Sequence, residues 1–337
     1  MSTVQTAAPE VPRIARELLE AAAPGGDVLE RNIRAWRRHA VVPRVFQAPV
    51  RTDLSTTLFG VRLACPILLA PVAMAEHGRA GAAVQIAEGA ARAGTSFVLS
   101  STSRHQAQDV QQVLPAYFQQ VYPPEQRSLL PELLADTRRS GVAALFLTVD
   151  HRNIEFHHAF RRRAREFVAE QGGHAPAYEA ARQVRLEDIA LVKAASGVPV
   201  VVKGVLHPDD AEDAVTAGAD GVVVSNHGGR QVGQSVTPAE VLQEIASRVA
   251  GRVPVLADSG IRTSGDIAVA LALGADAVLL GRPIVRAVWD GGADAVEKTL
   301  TTLAGELSGT LALAGVASSA EAGPHILHST TSTERRP

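Results

Sequence analysis

The chain has 337 residues, enough for two average domains or one large α/β barrel, and 46% of them are apolar, as in globular proteins. The net charge of −2 provides no electrostatic surface for nucleic acid or an anionic membrane, so we expect neither as a partner. The single cysteine, Cys65, excludes an internal disulfide. The sequence shows no apolar span of about 18 residues and no secretory signal peptide. Together these features predict a cytoplasmic protein.

The N-terminal part is expected to precede the main domain. Residues 1–12 are small and polar with prolines, which predicts disorder. Residues 13–64 form the predicted N-terminal extension, and within it ERNIRAWRRHAVVPRVF indicates a helix that ends near Pro43. The stretch LSTTLFGVRL indicates a hairpin that caps the floor of the domain that follows.

Short apolar runs alternate with amphipathic stretches from Cys65 onward. Half of the runs carry a proline at their start and half follow a glycine, and the two kinds alternate strictly. The runs start at Cys65, Ala93, Leu114, Ser140, Val198, Ala217, Val253 and Leu273. Strands buried on both faces read as continuous apolar runs, and a proline at the first residue costs no ladder hydrogen bond. The pattern predicts a closed (β/α)8 TIM barrel over residues 65–325, with a disordered tail over 326–337.

Other local signals agree with this barrel. The open doubly wound sheet is the alternative, and no G-x-G-x-x-G follows the first strand to support it. One helix has a clear start, with Thr237 as N-cap, Pro238 next and Glu240 three residues after the cap. The longest interval between strands runs from Asp150 to Val198, and we predict that it holds a mobile lid on the catalytic face.

Function in such barrels lies at the C-terminal ends of the strands. Lys203 ends the fifth run, where a cation can stabilise an anion in a water-poor site. The block SNHGGRQ ends the sixth run and supplies His227 as a candidate general base and Arg230 as a fork for a carboxylate. Glycines beside Arg262 and Arg282, after the last two runs, predict a phosphate site.

Together these residues carry a resemblance to a known family. From about Asn32 to Arg286 the chain resembles the FMN-dependent α-hydroxy acid oxidases and dehydrogenases, which include glycolate oxidase, lactate oxidase and mandelate dehydrogenase. The matching blocks are NIRAWRRHAVVPRVF, LLAPVAM, FVLSSTS, YFQQVY, LTVD, VVKGV, SNHGGRQ, ADSGIR and LGADAVLLGRP. The resemblance implies noncovalent FMN, a small-molecule substrate, O2 or another electron acceptor, no metal, and a homo-oligomer, a tetramer in the family.

The resemblance also implies a role for each matching position. His227 would take the substrate proton, Asp150 would pair with the imidazolium, and Lys203 would stabilise the reduced flavin near N1. Arg230 would bind the substrate carboxylate. Eight positions would hold the flavin: Ala73, Ser100, Gln119 and Thr148 its ring or ribityl groups, and Asp258, Arg262, Gly281 and Arg282 its ribityl and phosphate groups.

The substrate side departs from the family pattern at three positions. Leu18 stands near the place of one tyrosine, Val121 at that of a second, two residues after Gln119, and His157 at that of a second arginine. We expect Tyr122 and His157 to contact the substrate instead. Because these three departures add apolar surface to the pocket, the predicted substrate is a 2-hydroxy acid or related hydroxy-carbonyl compound that is larger than lactate.

The predicted reaction is oxidation of that compound: hydride, or a proton plus electrons, is transferred to flavin N5, with His227 as the base. Two alternatives stay open at this point. One is a family member that acts on an amine or a biosynthetic intermediate. The other is a non-redox FMN isomerase like isopentenyl diphosphate isomerase type 2, which shares the barrel and a related SNHGG block.

Overall fold

The computed structural model describes residues 11–47, 49–103, 107–151, 180–181 and 183–328. The N-terminal extension consists of two helices and three short strands: α1 (Arg13–Glu20), α2 (Val28–Trp36), β1 (Ala40–Val41), β2 (Thr56–Leu58) and β3 (Val61–Leu63). Strands β2 and β3 pair antiparallel as the predicted hairpin. Within the described ranges, no helix combines the length and the apolar character needed to cross a membrane.

Eight parallel strands close into the predicted barrel. They are β4 (Ile67–Leu69), β5 (Ser96–Leu99), β6 (Tyr117–Val121), β7 (Val142–Thr148), β8 (Val200–Val205), β9 (Gly221–Val224), β10 (Val255–Ala257) and β11 (Ala277–Leu280). Each strand pairs with the next along the chain, and β11 returns to pair with β4. Every apolar run that the sequence singled out forms one of these strands, so the predicted fold class is confirmed.

Helices surround the barrel. They are α3 (Ala75–Gly78), α4 (Ala82–Arg92), α5 (Ala107–Val113), α6 (Leu130–Leu134), α7 (Glu187–Ser196), α8 (Pro208–Thr216), α9 (Pro238–Val249), α10 (Ser264–Ala272) and α11 (Arg282–Leu313), the last with a kink at Gly291 and Gly292. Helix α9 begins as predicted, because Thr237 and Glu240 form a capping box and Pro238 stands at N1.

The inside of the barrel is a packed apolar core. Phe118 of β6 and Phe146 of β7 are fully buried, with ring centroids 5.6 Å apart. Phe59, at the turn of the β2–β3 hairpin, packs edge-on against both rings at 6.0 and 6.4 Å. The hairpin therefore closes the N-terminal end of the barrel, as predicted, and a ligand site belongs at the opposite end.

Two predicted boundaries differ from the structure. Helix α2 ends at Trp36 and not near Pro43, because the chain then extends into β1, which pairs antiparallel with β12 (Leu327–His328). Residues 326–328, expected in the disordered tail, are thus part of the fold, and tertiary pairing overrides the local signals. The rest of that tail, residues 1–10 and most of the predicted lid (152–179) lie outside the described residues.

Gly89 allows close contact between α4 and α11. A Cβ there would lie 2.6 Å from Cβ and Cγ1 of Val296. We expect Gly89→Ala to lower the free energy of unfolding by about 1–3 kcal/mol, since overpacking forces neighbours to shift. Gly305→Ala, at an open position of α11, should raise it by about 0.5–1 kcal/mol. Thermal unfolding checks both, and a Gly89→Ala protein as stable as the wild type would contradict this packing.

Candidate active site

One cavity of about 210 Å³ lies at the C-terminal ends of the barrel strands. Eleven of the residues singled out from the sequence line it: Ala73, Ser100, Tyr122, Thr148, Lys203, His227, Arg230, Asp258, Arg262, Gly281 and Arg282. Asp150 reaches the site through a hydrogen bond with His227. His157 lies outside the described residues. Among the described residues, the predicted groups therefore converge at one mouth, apart from Gln119.

His227 and Asp150 form a hydrogen-bonded pair. Nδ1 of His227 lies 2.9 Å from Oδ1 of Asp150, which leaves Nε2 as the ring nitrogen for other partners. Burial by itself would raise the pKa of Asp150, but the charge and hydrogen bond of His227 and the charge of Lys203 outweigh it and lower that pKa. Asp150 is thus ionised at neutral pH and can stabilise a protonated imidazole.

The backbone at His227 takes a left-handed conformation that L residues seldom adopt. The φ angle is 57° at His227, 66° at Gly228 and 80° at Gly229. A Cβ at Gly228 would lie 2.8 Å from Nη1 of Arg282, so a side chain there would displace that guanidinium group, and the positive φ favours glycine. The N–H of His227 donates to Oγ of Ser225 at 3.0 Å. The sharp turn brings the imidazole to Asp150, which follows β7.

Lys203 is a buried cation on the cavity wall. Its Nζ lies 3.0 Å from Oδ2 of Asp258 and donates to Oγ of Ser225 at 3.0 Å. Burial would lower the pKa of Lys203, but the charges of Asp258 and Asp150 raise it above its usual value. The side chain therefore stays charged, which suits stabilisation of an anion in a site that excludes water.

Arg262 and Arg282 form a cationic corner of the cavity. Burial, followed by the charges of neighbouring arginines, lowers the pKa of each to about 10. Glu20 offsets part of this charge, with its carboxylate 3.9 Å from Nε of Arg282 and 2.6 Å from Nη2 of Arg286. A bound anion would stabilise the remaining buried charge, and guanidinium groups bind phosphate well. The corner therefore fits the phosphate of FMN.

The end of α1 also belongs to the mouth. Arg230 donates from Nη1 to the carbonyl of Leu18 at 3.2 Å and from Nη2 to that of Leu19 at 2.8 Å. Nε of Arg282 donates to the same Leu19 carbonyl at 3.0 Å. These carbonyls lack helical partners because α1 ends at Glu20. Leu19 lines the cavity although only 1% of it is exposed, and Leu18, the residue expected near this point, packs with it in the apolar core.

Gln120 faces the cavity, where the sequence predicted Gln119. Side chains alternate along a strand, and Phe118 points into the barrel core, so Gln120 points inward and Gln119 outward. Oε1 of Gln120 accepts from the backbone N–H and the hydroxyl of Ser101, both at 3.1 Å.

Nε2 of Gln120 is buried and has no hydrogen-bond partner among the described residues. A buried donor of this kind needs an acceptor, and a flavin ring offers carbonyl oxygen and nitrogen acceptors. The one-residue correction also moves the second tyrosine position. Tyr122, two residues after Gln120, lines the cavity, whereas Val121 is buried in the outer core. This tyrosine is therefore present, contrary to the prediction.

Further site residues were not found by sequence reasoning. Ser259 donates to Oδ1 of Asp258 at 2.6 Å and accepts from the N–H of Gly228 at 3.0 Å. The ring of His151 lies 4.8 Å from that of Tyr122 and 6.1 Å from that of His227. His151 follows Asp150 directly at a strand end, which is a usable signal. Ser259 follows Asp258 at the end of β10 in the same way.

Comparisons with known proteins agree with this site. Residues 7–329 match the family model described as FMN-dependent dehydrogenase. A peroxisomal (S)-2-hydroxyacid oxidase of Arabidopsis thaliana is 32% identical over 325 residues, covering 90% of this chain and 89% of that protein. An L-lactate oxidase of Lentilactobacillus hilgardii is 33% identical over 304 residues, covering 85% and 82%. Mandelate oxidase solved with benzoyl-formic acid gives a TM-score of 0.83 at 32% identity, covering 94% of each chain.

We expect Gln120→Ala to weaken FMN binding, because it removes the buried donor. One hydrogen bond is worth about 0.5–1.5 kcal/mol net, so Kd should rise by roughly twofold to tenfold. Gln119→Ala is the matched control and should leave Kd unchanged, since its side chain faces away from the cavity. Titration of the FMN-free protein, followed by flavin fluorescence, measures both. A larger loss in Gln119→Ala would overturn the strand register.

Proposed function

This chain belongs to the FMN-dependent dehydrogenase family, and on that premise we propose that it oxidises a 2-hydroxy acid with a bulky, partly apolar substituent. It is an FMN-dependent oxidoreductase of the hydroxy acid oxidase type. The observation that carries the proposal is the His227–Asp150 pair beside a cavity walled by Lys203 and Arg230.

Oxidation of a 2-hydroxy acid to a 2-oxo acid removes an electron pair and two protons. FMN, which Gln120, Lys203 and the arginine corner would hold, would accept the electron pair and one of the two protons. His227 takes a substrate proton at Nε2, because Nδ1 faces Asp150. Asp150 then stabilises the imidazolium. Arg230 and Tyr122, both on the cavity wall, bind the substrate carboxylate.

The cavity wall supports a bulky substituent. Met74 contributes apolar surface, and Leu18, which stands near the place where the resemblance implies a tyrosine, supplies no hydroxyl. A small acid loses that hydrogen bond, worth about 1.5–3 kcal/mol to a charged group. An apolar substituent instead gains roughly 25 cal/mol for each Å² that it buries. The mandelate oxidase structure solved with benzoyl-formic acid also supports this substrate class.

The names of the relatives bear on the type of reaction and on the electron acceptor. Their names describe hydroxy acid oxidoreductases, which supports oxidation over amine chemistry or isomerisation. We propose O2 as the electron acceptor, since several relatives are named oxidases. The homo-oligomer and the cytoplasmic location stay predictions from the sequence.

We expect His227→Ala to retain FMN and to reduce it at least ~10²-fold more slowly, since general-base catalysis contributes on that scale. Asp150→Asn should lower the rate less, because the base is still present. Anaerobic stopped-flow absorbance measures the rate constant of flavin reduction. Retention of the flavin spectrum is the control for intact FMN binding. Reduction of the His227→Ala protein at the wild-type rate would remove His227 from the mechanism.

Substrate size is tested by steady-state kinetics over a series of 2-hydroxy acids. The series runs from glycolate and lactate to acids with branched and phenyl substituents. We expect kcat/KM to rise with the apolar substituent, because Met74 on the cavity wall would bury part of it. If glycolate or lactate gives the highest kcat/KM, the proposed substrate class is wrong, although the oxidase assignment stands.

A further inference from the structure

The N-terminal extension packs directly on the loops that carry the site. Helix α2 lies against the turns that follow β9 and β10. Nε1 of Trp36 donates to the carbonyl of Ser259 at 2.9 Å. A Cβ at Gly260 would lie 2.2 Å from the carbonyl oxygen of Asn32, and one at Gly229 would lie 2.7 Å from Cγ1 of Val28. The backbone of these two turns therefore packs directly against α2.

Asn32 of α2 and Asn226 form a reciprocal amide pair in this contact. Nδ2 of Asn32 donates to Oδ1 of Asn226 at 3.0 Å, and Nδ2 of Asn226 donates to Oδ1 of Asn32 at 2.7 Å. The two residues are 1% and 3% exposed, so water does not compete for these hydrogen bonds. The side chains are 194 positions apart in the chain. The pair fixes the extension to the residue that precedes His227.

Asn226 also closes the loop that contains His227 and Arg230. Its Oδ1 accepts from the N–H of Gly229 at 3.0 Å, and its Nδ2 donates to the carbonyl of Val236 at 3.2 Å. Both lone-pair positions and both N–H groups of this amide are thus in use. A left-handed backbone persists only where surrounding contacts hold it, and the saturated amide supplies such contacts beside His227.

We propose that Asn32 is a positioning residue for His227 and acts through Asn226. Asn32 does not line the cavity, so its effect on the reaction must pass through the loop. The inference rests on the proposed role of His227 as the base. Among the described residues, loss of Asn32 leaves the Asn226 side chain with hydrogen bonds to its own loop alone, and we expect the turn to shift enough to move the imidazole from its working position.

Asn32→Ala in the FMN-loaded enzyme tests this. Because a displacement of about 1 Å can cost ~10²-fold in rate, we expect flavin reduction at saturating substrate to fall at least about tenfold. FMN affinity should change less than about twofold, since binding groups outside the loop remain. Arg34→Ala, on the exposed side of α2 with 66% of its side chain accessible, is the control and should match the wild type. An unchanged rate in Asn32→Ala would overturn the proposal.

A double substitution separates positioning from general stability. If Asn32 acts through His227, Asn32→Ala should add no further loss in a His227→Ala background. The same proportional loss in both backgrounds would show a merely structural role and overturn the proposal. Asn32→Asp, which keeps the acceptor for Nδ2 of Asn226 but loses the donor, should show the same pattern if Asn32→Ala does not fold.

Hydrogen exchange tests the amide pair without turnover. We expect the backbone N–H groups of His227 and Gly229 to exchange faster in Asn32→Ala than in the wild type or Arg34→Ala. Equal protection would overturn the inference, whatever the substrate is. Failure of every 2-hydroxy acid to reduce the wild-type flavin would instead reject the proposed function, and the two failures are thereby distinguishable.

Discussion

The left-handed turn at His227, Gly228 and Gly229 is the constraint around which the mouth of the barrel is arranged. The turn brings the imidazole to Asp150, and a side chain at Gly228 would collide with Arg282. Ser225 accepts from both Lys203 and the backbone of His227, so one hydroxyl joins the cation to the base. A change in this backbone would therefore displace several functional groups together.

Charge balance explains what the site can bind. Lys203 forms an ion pair with Asp258, and Asp150 is hydrogen-bonded to His227, so both carboxylates have partners within the protein. The arginine corner is only partly compensated by Glu20. Burial of an uncompensated cation is costly, which makes an incoming phosphate or carboxylate favourable. The same protein surface thus suits a phosphorylated cofactor and an acidic substrate.

The sequence predicts the fold well because its signals are local. The alternating proline and glycine starts mark all eight strands, and the capping residues Thr237 and Glu240 mark a helix. Two expectations were wrong for different reasons. Which glutamine faces the cavity depends on the side-chain alternation in β6: Phe118 points into the barrel core, so Gln120 and not Gln119 faces inward. Helix α2 ends at Trp36 because the chain then enters β1, and the pairing of β1 with the distant β12 has no signature within a few residues of sequence.

The candidate site likewise combines residues that the sequence predicts with residues that it does not. His227, Asp150 and Lys203 stand at strand ends, where a barrel gathers its functional groups, and the resemblance assigns their roles. Asn32 and Leu19 come from the N-terminal extension, far from the barrel strands in sequence. Their place at the mouth follows from the packing of α1 and α2 on the barrel, which no periodicity in the chain reveals.

Anaerobic mixing of the FMN-loaded enzyme with a phenyl-substituted 2-hydroxy acid tests the central claim most directly. Visible flavin absorbance and the 2-oxo acid product are followed together. The account predicts that the absorbance is lost and that one 2-oxo acid forms for each flavin reduced. Unchanged absorbance with this acid and with smaller 2-hydroxy acids would contradict it.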